Sequence, residues 1–517
     1  MESHSEHVSN ISSQIANYHS TKTPFRIYHG STNSTRHFPA SQATISTAHL
    51  TNIQIDPTKN VAIAEPNVPM NSLLDASLAH GLVPLVVMEF PGITVGGGFS
   101  GTSGESSSFR YGFFDRTVNW IEIVTGEGEV RVVHRDAGGE EGELFWGAAS
   151  SFGTLGVVTL LEVQLRPVKG FIELQYFPRG SMKEAIGLFE ELTRDENTEY
   201  LDGVVYGKDE IVVCAGRLVD SPSSKNPITR LTRARDDWFY LHARKRASQS
   251  ISPSIATDYI PVTDYLFRYD RGGFWVGRYA YQYFMVPFIW LTRYILDWFM
   301  HTRVMYHALH QSGHSRRYII QDVAVPYNGT SEFLEWLDKR ENFGHYPIWL
   351  CPLKYKADGE GKGGGGLMID DNNANQSSRA EGIEGRGNGY LMNFGIWAPS
   401  PHTRSPEAFV TQNRNLERKV SSLGGKKWLY AHAYYTQDEF WSIYDKPKYD
   451  GLRAKYHADY LPDLYEKVRV DLRGKYDGRT GVVNWVKSVL WEIWPVSGLV
   501  GVWRAWWGGE YLLKKNR

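Results

Sequence analysis

Thr94-Val-Gly-Gly-Gly-Phe-Ser-Gly-Thr-Ser-Gly-Glu-Ser106 is the stretch on which the reading of this 517-residue protein turns. Three consecutive glycines remove side chains, so backbone N–H groups can approach an anion closely. Seven hydroxyl residues between Thr94 and Ser108 add short donors, and no Lys or Arg lies among them. Neutral donors of this kind suit a buried diphosphate; the competing reading is a flexible surface loop. Gly96-x-Gly98-x-x-Gly101 matches the dinucleotide fingerprint by letter. That fingerprint needs a strand directly before it and a helix opening within it. Here the apolar run Leu82–Met88 is separated from the glycines by Glu89-Phe-Pro-Gly92, and Thr102–Phe109 is a poor helix opener. A Rossmann site is therefore rejected. A P-loop is excluded too, because no Gly-Lys-Ser/Thr occurs in the run.

Two other segments are of similar make. Phe25-Arg-Ile-Tyr-His-Gly-Ser-Thr-Asn-Ser-Thr35 reads as a strand entering a small-residue loop. Ser150-Ser-Phe-Gly-Thr-Leu-Gly-Val-Val158 reads as a small-residue turn entering a strand. Around them the first 170 residues have an α+β pattern. Asn60–Glu65 alternates as a strand, Asn71–His80 has helical spacing, and Leu82–Met88 suits a buried strand. Trp120–Thr125, Gly126-Glu-Gly128 and Glu129–Val133 read as a hairpin, and Val157–Leu165 as a further strand.

From 171 to 400 the character changes. Met182–Arg194 is an amphipathic helix, Leu201–Tyr206 and Glu210–Cys214 pair as strands, and Arg271–His310 is dense in aromatics. Residues 357–389 are rich in Gly, Asn and Ser and read as a mobile insertion. Tyr390–Ile396 resumes as a strand, Glu407–Leu423 is helical, and Trp428–Tyr435 looks like a buried strand. The expected division is a polar segment at 1–21, a nucleotide-binding domain at 22–170, a substrate or cap domain at 171–400, a returning part at 401–470, and a tail at 471–517.

Composition narrows the function classes. The formal net charge of −1 and a pI near 7 argue against nucleic acid as a partner, since phosphate binding shows as a basic excess. Cys214 and Cys351 are too few for a disulfide framework and fit a reducing compartment. Residues 1–23 lack the apolar core of a secretory signal. No stretch offers 18 uninterrupted apolar residues. Phe284–Met300 contains Pro287, Arg293 and Asp297, and the tail, with six tryptophans from Val482 onward, is broken by Lys487, Glu492, Pro495 and Arg504. Both suit the plane of a membrane interface, or packing against the body of the protein.

Taken in order, the three loops resemble the FAD-binding domain of the PCMH-type, or vanillyl-alcohol-oxidase-like, flavoproteins. His29–Thr35, Gly96–Gly98 with Arg110-Tyr-Gly112, and Phe152–Val158 carry the match. Within that group the protein is more similar to the Δ24-sterol reductase, or Diminuto-like, family over residues 22–470. The matching strings are Ile93–Gly97, Gly104-Glu-Ser-Ser-Ser108, Asp258-Tyr-Ile-Pro261, Gln321-Asp322 with Val325-Pro326, Tyr346-Pro-Ile-Trp-Leu-Cys-Pro352, Leu429-Tyr-Ala431 and Glu439-Phe-Trp441. The resemblance implies an α+β fold: a PCMH-type domain of two α+β subdomains, an α/β cap, and a Trp-rich tail. It also implies non-covalent FAD, NADPH as electron donor, and reduction of an alkene in the side chain of a sterol or related terpenoid. The family's amino-terminal membrane segment has no counterpart before Thr23. The tail is therefore the expected contact with a membrane, and Lys514-Lys515-x-x resembles an endoplasmic-reticulum retrieval signal.

By the same resemblance the cofactor residues are His29, Gly30, Ser31, Thr32, Asn33 and Ser34 in the first loop. In the second they are Thr94, Val95, Gly96, Gly97, Gly98, Ser100, Gly101, Thr102, Ser103, Gly104, Ser106 and Ser107, with Tyr111 and Gly112. In the third they are Gly153, Thr154, Gly156, Val157 and Val158. His29 is the residue a covalent flavin link would use. No metal is expected.

An isolated alkene is not polarised, so its reduction needs a positioned acid in a dry pocket beside the hydride source. The candidates are Glu105, Asp322, His432 and Tyr430. Glu105 lies in the flavin loop, where capping of backbone N–H groups is the plainer role. Asp322 sits among apolar residues that would raise its pKa, or in a buried ion pair. His432 lies on a segment that returns to the flavin, or is a satisfied core histidine. Tyr346, Trp349, Phe274 and Trp275 are candidates for an apolar pocket or for plain core. Two other readings stay open: an oxidase or dehydrogenase of the same fold, and a catalytically silent sterol-binding protein.

Overall fold

Alternating apolar residues build two large sheets and a separate strand pair, and the cavity of interest draws its walls from all three. The computed structural model describes residues 2–29, 43–222, 227–250, 255–312, 317–355, 389–401, 405–470 and 494–507. Strands β1 (Phe25–Tyr28) and β2 (Ala43–Ser46) pair in parallel. Strands β3 (Ile53–Asp56), β4 (Val61–Ala64), β5 (Leu82–Pro84), β6 (Val118–Thr125), β7 (Val130–His134) and β8 (Gly156–Pro167) form an antiparallel sheet of order β3-β4-β8-β6-β7, with β5 also on β8. With the helices between them, these strands give this part the mixed α+β character expected of it.

The second sheet comprises β9 (Phe171–Arg179), β10 (Tyr200–Gly207), β11 (Glu210–Val219), β12 (Ala256–Pro261), β13 (Tyr318–Pro326), β14 (Ile348–Lys354), β15 (Tyr390–Pro399) and β16 (Lys426–Lys427). Its order is β12-β9-β11-β10-β14-β15-β13-β16, antiparallel at every pairing. The helix Met182–Arg194, capped by the Ser181 hydroxyl, buries Met182, Ala185, Leu188 and Phe189, the i, i+3, i+4 spacing of one helical face. Helix Pro406–Ser422 lies near the β13 edge and buries Phe409, Val410, Leu416 and Val420.

Four expectations need correction. The polar segment 1–21 is a helix, Glu2–Ser20. Val8, Ile11 and Ile15 recur at helical spacing, and this stripe is buried against Phe25, Val124 and Val157; His4 bonds Glu65 at 2.6 Å and Glu122 at 3.0 Å. The run Leu82–Met88 keeps ladder pairing only over Leu82–Pro84, and Val86, Val87 and Met88 turn into the core. Trp428–Tyr435 is buried apart from Tyr430 and His432 but is not a strand: beyond β16 the backbone turns irregularly. Apolarity there reports burial, which a side-chain-bonded turn meets as well as a ladder does. The glycine run is not a loop: Val95–Gly101 is a helix whose first turn is capped by Thr94 Oγ1 accepting from Gly97 N at 3.1 Å. Residues 357–388 of the expected insertion, and 471–493 and 508–517 of the tail, lie outside the described residues.

Candidate active site

The cavity is walled by all three nucleotide-domain segments and by the cap. From the first segment come Arg26, Ile27 and His29; Gly30, Ser31, Thr32, Asn33 and Ser34 lie outside the described residues. From the second come Thr94, Gly96, Gly97, Ser100, Gly101, Ser103 and Gly104, and from the third Gly153, Gly156 and Val158. The cap contributes Tyr306, Ile320, Asp322 and Trp397, and the returning part Tyr430, Ala431, His432 and Lys467.

Glycine is required at this wall for a steric reason. A Cβ on Gly96 would stand 2.6 Å from Pro66 Cβ, and one on Gly153 2.4 Å from Ile27 Cδ1. Backbone is thereby brought to the cavity surface beside the hydroxyls of Thr94, Ser100 and Ser103, a donor set that fits a diphosphate. Positive charge is also present, contrary to the expectation of wholly neutral donors. Arg26 and Lys467 line the same cavity, and Arg26 Nε is buried without a hydrogen-bond partner. Burial depresses the Arg26 pKa, so an anion placed beside it would be welcome. These features fit the residues to FAD.

The remaining expected cofactor residues stand behind the wall. Val95 is core, and a Cβ on Gly98 would meet Met88 Cε at 2.3 Å. The Thr102 and Ser150 hydroxyls bond each other. Ser106 and Ser107 serve the backbone: Ser106 O accepts from Leu201 N at 2.8 Å and Ser107 Oγ donates to Leu85 O at 2.8 Å. The Arg166 guanidinium lies 5.6 Å from the Tyr111 ring centre, and Gly112 has φ +76°. Tyr449 OH and Thr154 Oγ1 are 2.7 Å apart, and Val157 packs under the N-terminal helix.

Among the four acid candidates the structure separates one from three. Glu105 is fully buried but does not line the cavity. It faces Arg268 at 3.3 Å, which in turn holds Asp202 at 2.7 Å. Its environment is an ion cluster that ties the segment after the glycine helix to β10. Asp322, Tyr430 and His432 are brought together on one wall. Burial raises the Asp322 carboxyl to about 7, against hydrogen bonds from Asn393, Tyr430 and Trp397. The Tyr430 phenol is pushed up by burial and by the charge of Asp322. The turn carrying Tyr430 and His432 is fixed from below: Lys427 Nζ donates to the His432 carbonyl and bonds Glu417 at 2.5 Å, and Gln321 Nε2 donates to the same carbonyl at 3.3 Å.

Sequence reasoning missed a second carboxyl. Glu89 lines the cavity, and burial, with the charges of Glu105 and Asp322, raises it to about 8. The signal was available: Glu89 directly follows the apolar run Leu82–Met88 and precedes the glycines, an unusual place for a carboxylate. Tyr306 and Trp397 were not foreseen either, and carried no local signal. The four aromatics expected to line a pocket divide differently. Phe274, Trp275 and Trp349 are core; Phe274 packs 4.3 Å from Trp397, which does face the cavity. Tyr346 donates to Asp338 at 2.8 Å, away from it.

Fold and cavity together define a flavoprotein with a PCMH-type FAD-binding domain. Residues 4–134 match the family model described as an FAD binding domain. The protein is similar to a Delta(24)-sterol reductase homolog of Caenorhabditis elegans, 26% identical over 80% of this sequence and 77% of the relative. It is similar to the Delta(24)-sterol reductase of Homo sapiens, 26% identical over 80% and 75%. The enzyme of Pisum sativum is 28% identical over 78% and 72%. The similarity to Delta(24)-sterol reductases thus runs through most of this sequence, and the FAD binding domain match covers its amino-terminal part.

Proposed function

We propose that this protein is an FAD-dependent oxidoreductase that reduces an alkene in the side chain of a sterol or related terpenoid, with NADPH as electron donor. One observation carries the reading. Two carboxyl groups, Glu89 and Asp322, open on a single cavity built by the FAD-binding domain and the cap, and both are raised toward neutrality. Bound FAD supplies hydride chemistry; the alkene also requires a proton. Glu89 and Asp322 are the carboxyl groups of the wall that hold one near neutral pH. Tyr430 hydrogen-bonds Asp322 and orients it, and His432 lies on the same wall. Phe90, Ile320 and Trp397 give the substrate side apolar walls that exclude water. The cradle is assigned to Thr94, Gly96, Gly97, Ser100, Gly101, Ser103, Gly104, Gly153 and Gly156, with Arg26 and Lys467 facing the anion. His29, also on the wall, makes no covalent link in this reading. The enzyme works at a membrane, that of the endoplasmic reticulum, and meets it through its C-terminal tail.

The test is incubation of the purified yellow protein with desmosterol and NADPH, followed by mass detection. A gain of two hydrogens is the expected result. Peroxide release without that gain would assign the protein to the oxidases, and colourless protein would remove both readings.

A further inference from the structure

Two segments far apart in sequence each carry several exposed apolar side chains. In the first, Met285, Trp290, Leu291, Ile295 and Trp298 are 49–72% exposed. In the second, the helix Val496–Trp507, Leu499, Trp503, Trp506 and Trp507 are 54–72% exposed. The segments are tied together. Trp494 Nε1 donates to the Tyr283 carbonyl at 2.7 Å. A Cβ on Gly498 would stand 2.4 Å from Tyr283 Cε1, and one on Gly501 2.6 Å from the Ala308 carbonyl. The tail helix therefore packs on Thr302–Gln311, the helix whose Tyr306 lines the cavity.

We propose that these two segments form one membrane-docking face, seated in the lipid interface beside the Tyr306 wall of the cavity. Clustered exposed apolar side chains of this kind mark an interaction site. Tryptophan and tyrosine mixed with aliphatics is the composition of the headgroup boundary, where an amphipathic ring has one wet and one dry side. Charge favours lipid over a second protein. Across 278–312 and 494–507 stand Arg278, Arg303 and Arg504, besides Arg293, which pairs with Asp237 at 2.9 Å, against one acid, Asp297. That acid is buried on Arg271, while Arg278 and Arg504 are exposed, a balance that complements anionic headgroups. Among the described residues no helix is long and apolar enough to cross a membrane, so contact through this face is peripheral. Docking stands on the surface itself; entry of a lipid-dissolved substrate past Tyr306 rests on the sterol-reductase reading.

Flotation of the full-length FAD-loaded protein with phosphatidylcholine vesicles, with and without phosphatidylserine, is the test. The unmutated protein should float, more strongly with the anionic lipid. The pairs Ile295→Ser with Trp298→Ser, and Trp503→Ser with Trp506→Ser, should each weaken partition by about tenfold or more. Both pairs should keep their flavin absorbance and their reduction of detergent-dispersed sterol. Absence of flotation overturns the face, as does self-association in its place that the same pairs abolish. Loss confined to one pair overturns its composite nature. Flotation without any reduction of detergent-dispersed sterol leaves docking intact and removes the enzymatic reading instead.

Discussion

Glu89 sits where a carboxylate is least welcome: it follows a buried apolar run, within reach of the charges of Glu105 and Asp322. A group so placed keeps its proton, and a retained proton can be given away. Glu89→Gln should lower the rate of alkene reduction by about 10²–10⁴ while FAD stays bound, read as single-turnover flavin reoxidation by substrate. Asp322→Asn should act in the same direction, and comparison of the two identifies the direct donor. The pH dependence has a definite sign. Both carboxyls lie above their ordinary values of 4.5 and 3.8, at about 8 and about 7. The protonated forms are thus favoured by the fold, and their stability contribution is complete below about pH 4 and lost as pH rises to about 8. Reduction should fall over the upper part of that window, from about pH 7 to 8, and Glu89→Gln should flatten the loss of stability. A rate that rises between pH 7 and 9 would contradict the assignment.

The helix Val95–Gly101 shows at the scale of one element why local rules misjudged the glycine run. Glycine is a poor helix former, so the stretch reads as a loop. Packing overrides propensity here: Thr94 caps the first turn, and Pro66 and Met88 press so close that larger residues are excluded. Gly96→Ala should displace the helix from Pro66, costing about 1–3 kcal/mol and stripping FAD, visible as loss of visible absorbance on gel filtration. Gly97→Ala meets only Thr94 Oγ1, at 3.0 Å, and should retain flavin. Gly97→Glu, which puts a carboxylate at the cavity wall, should not. The turn after β16 was misjudged for the complementary reason. Its burial is apolar, but its shape is set by Lys427, whose ammonium satisfies Glu417 and the His432 carbonyl at once.

Across the whole molecule, Arg268 joins the parts. Fully buried, it holds Glu105 of the nucleotide-binding domain and Asp202 of β10 in the cap, and its ring neighbours Tyr265 and Tyr269 lie 4.0 and 4.7 Å away. Arg110 reinforces the junction, donating to the Thr198 carbonyl at 2.6 Å. Removing one member of such a cluster strands the others. Arg268→Leu should destabilise the protein by about 3–5 kcal/mol, read as a lower denaturation midpoint with early release of flavin. A midpoint unchanged from the unmutated protein would show that the cluster does not couple the domains.

The sequence alone was enough to read the strands Asn60–Glu65, Trp120–Thr125 and Val157–Leu165, observed over Val61–Ala64, Val118–Thr125 and Gly156–Pro167, and the helix Met182–Arg194. Each is written in spacing that neighbouring residues enforce: period two for a half-buried strand, period 3.6 for a helix face. It also placed Asp322, Tyr430 and His432 among the candidates. Only the tertiary structure decided that these three share a wall, that Glu89 joins them, and that Glu105 belongs instead to an ion cluster with Arg268 and Asp202. The reason is that burial and charge proximity are properties of the assembled molecule. The cavity draws on β1, the glycine helix, β8, β13, β15 and the turn after β16. No local period records which of their side chains will face one another, and so no local period records which carboxyl will keep its proton.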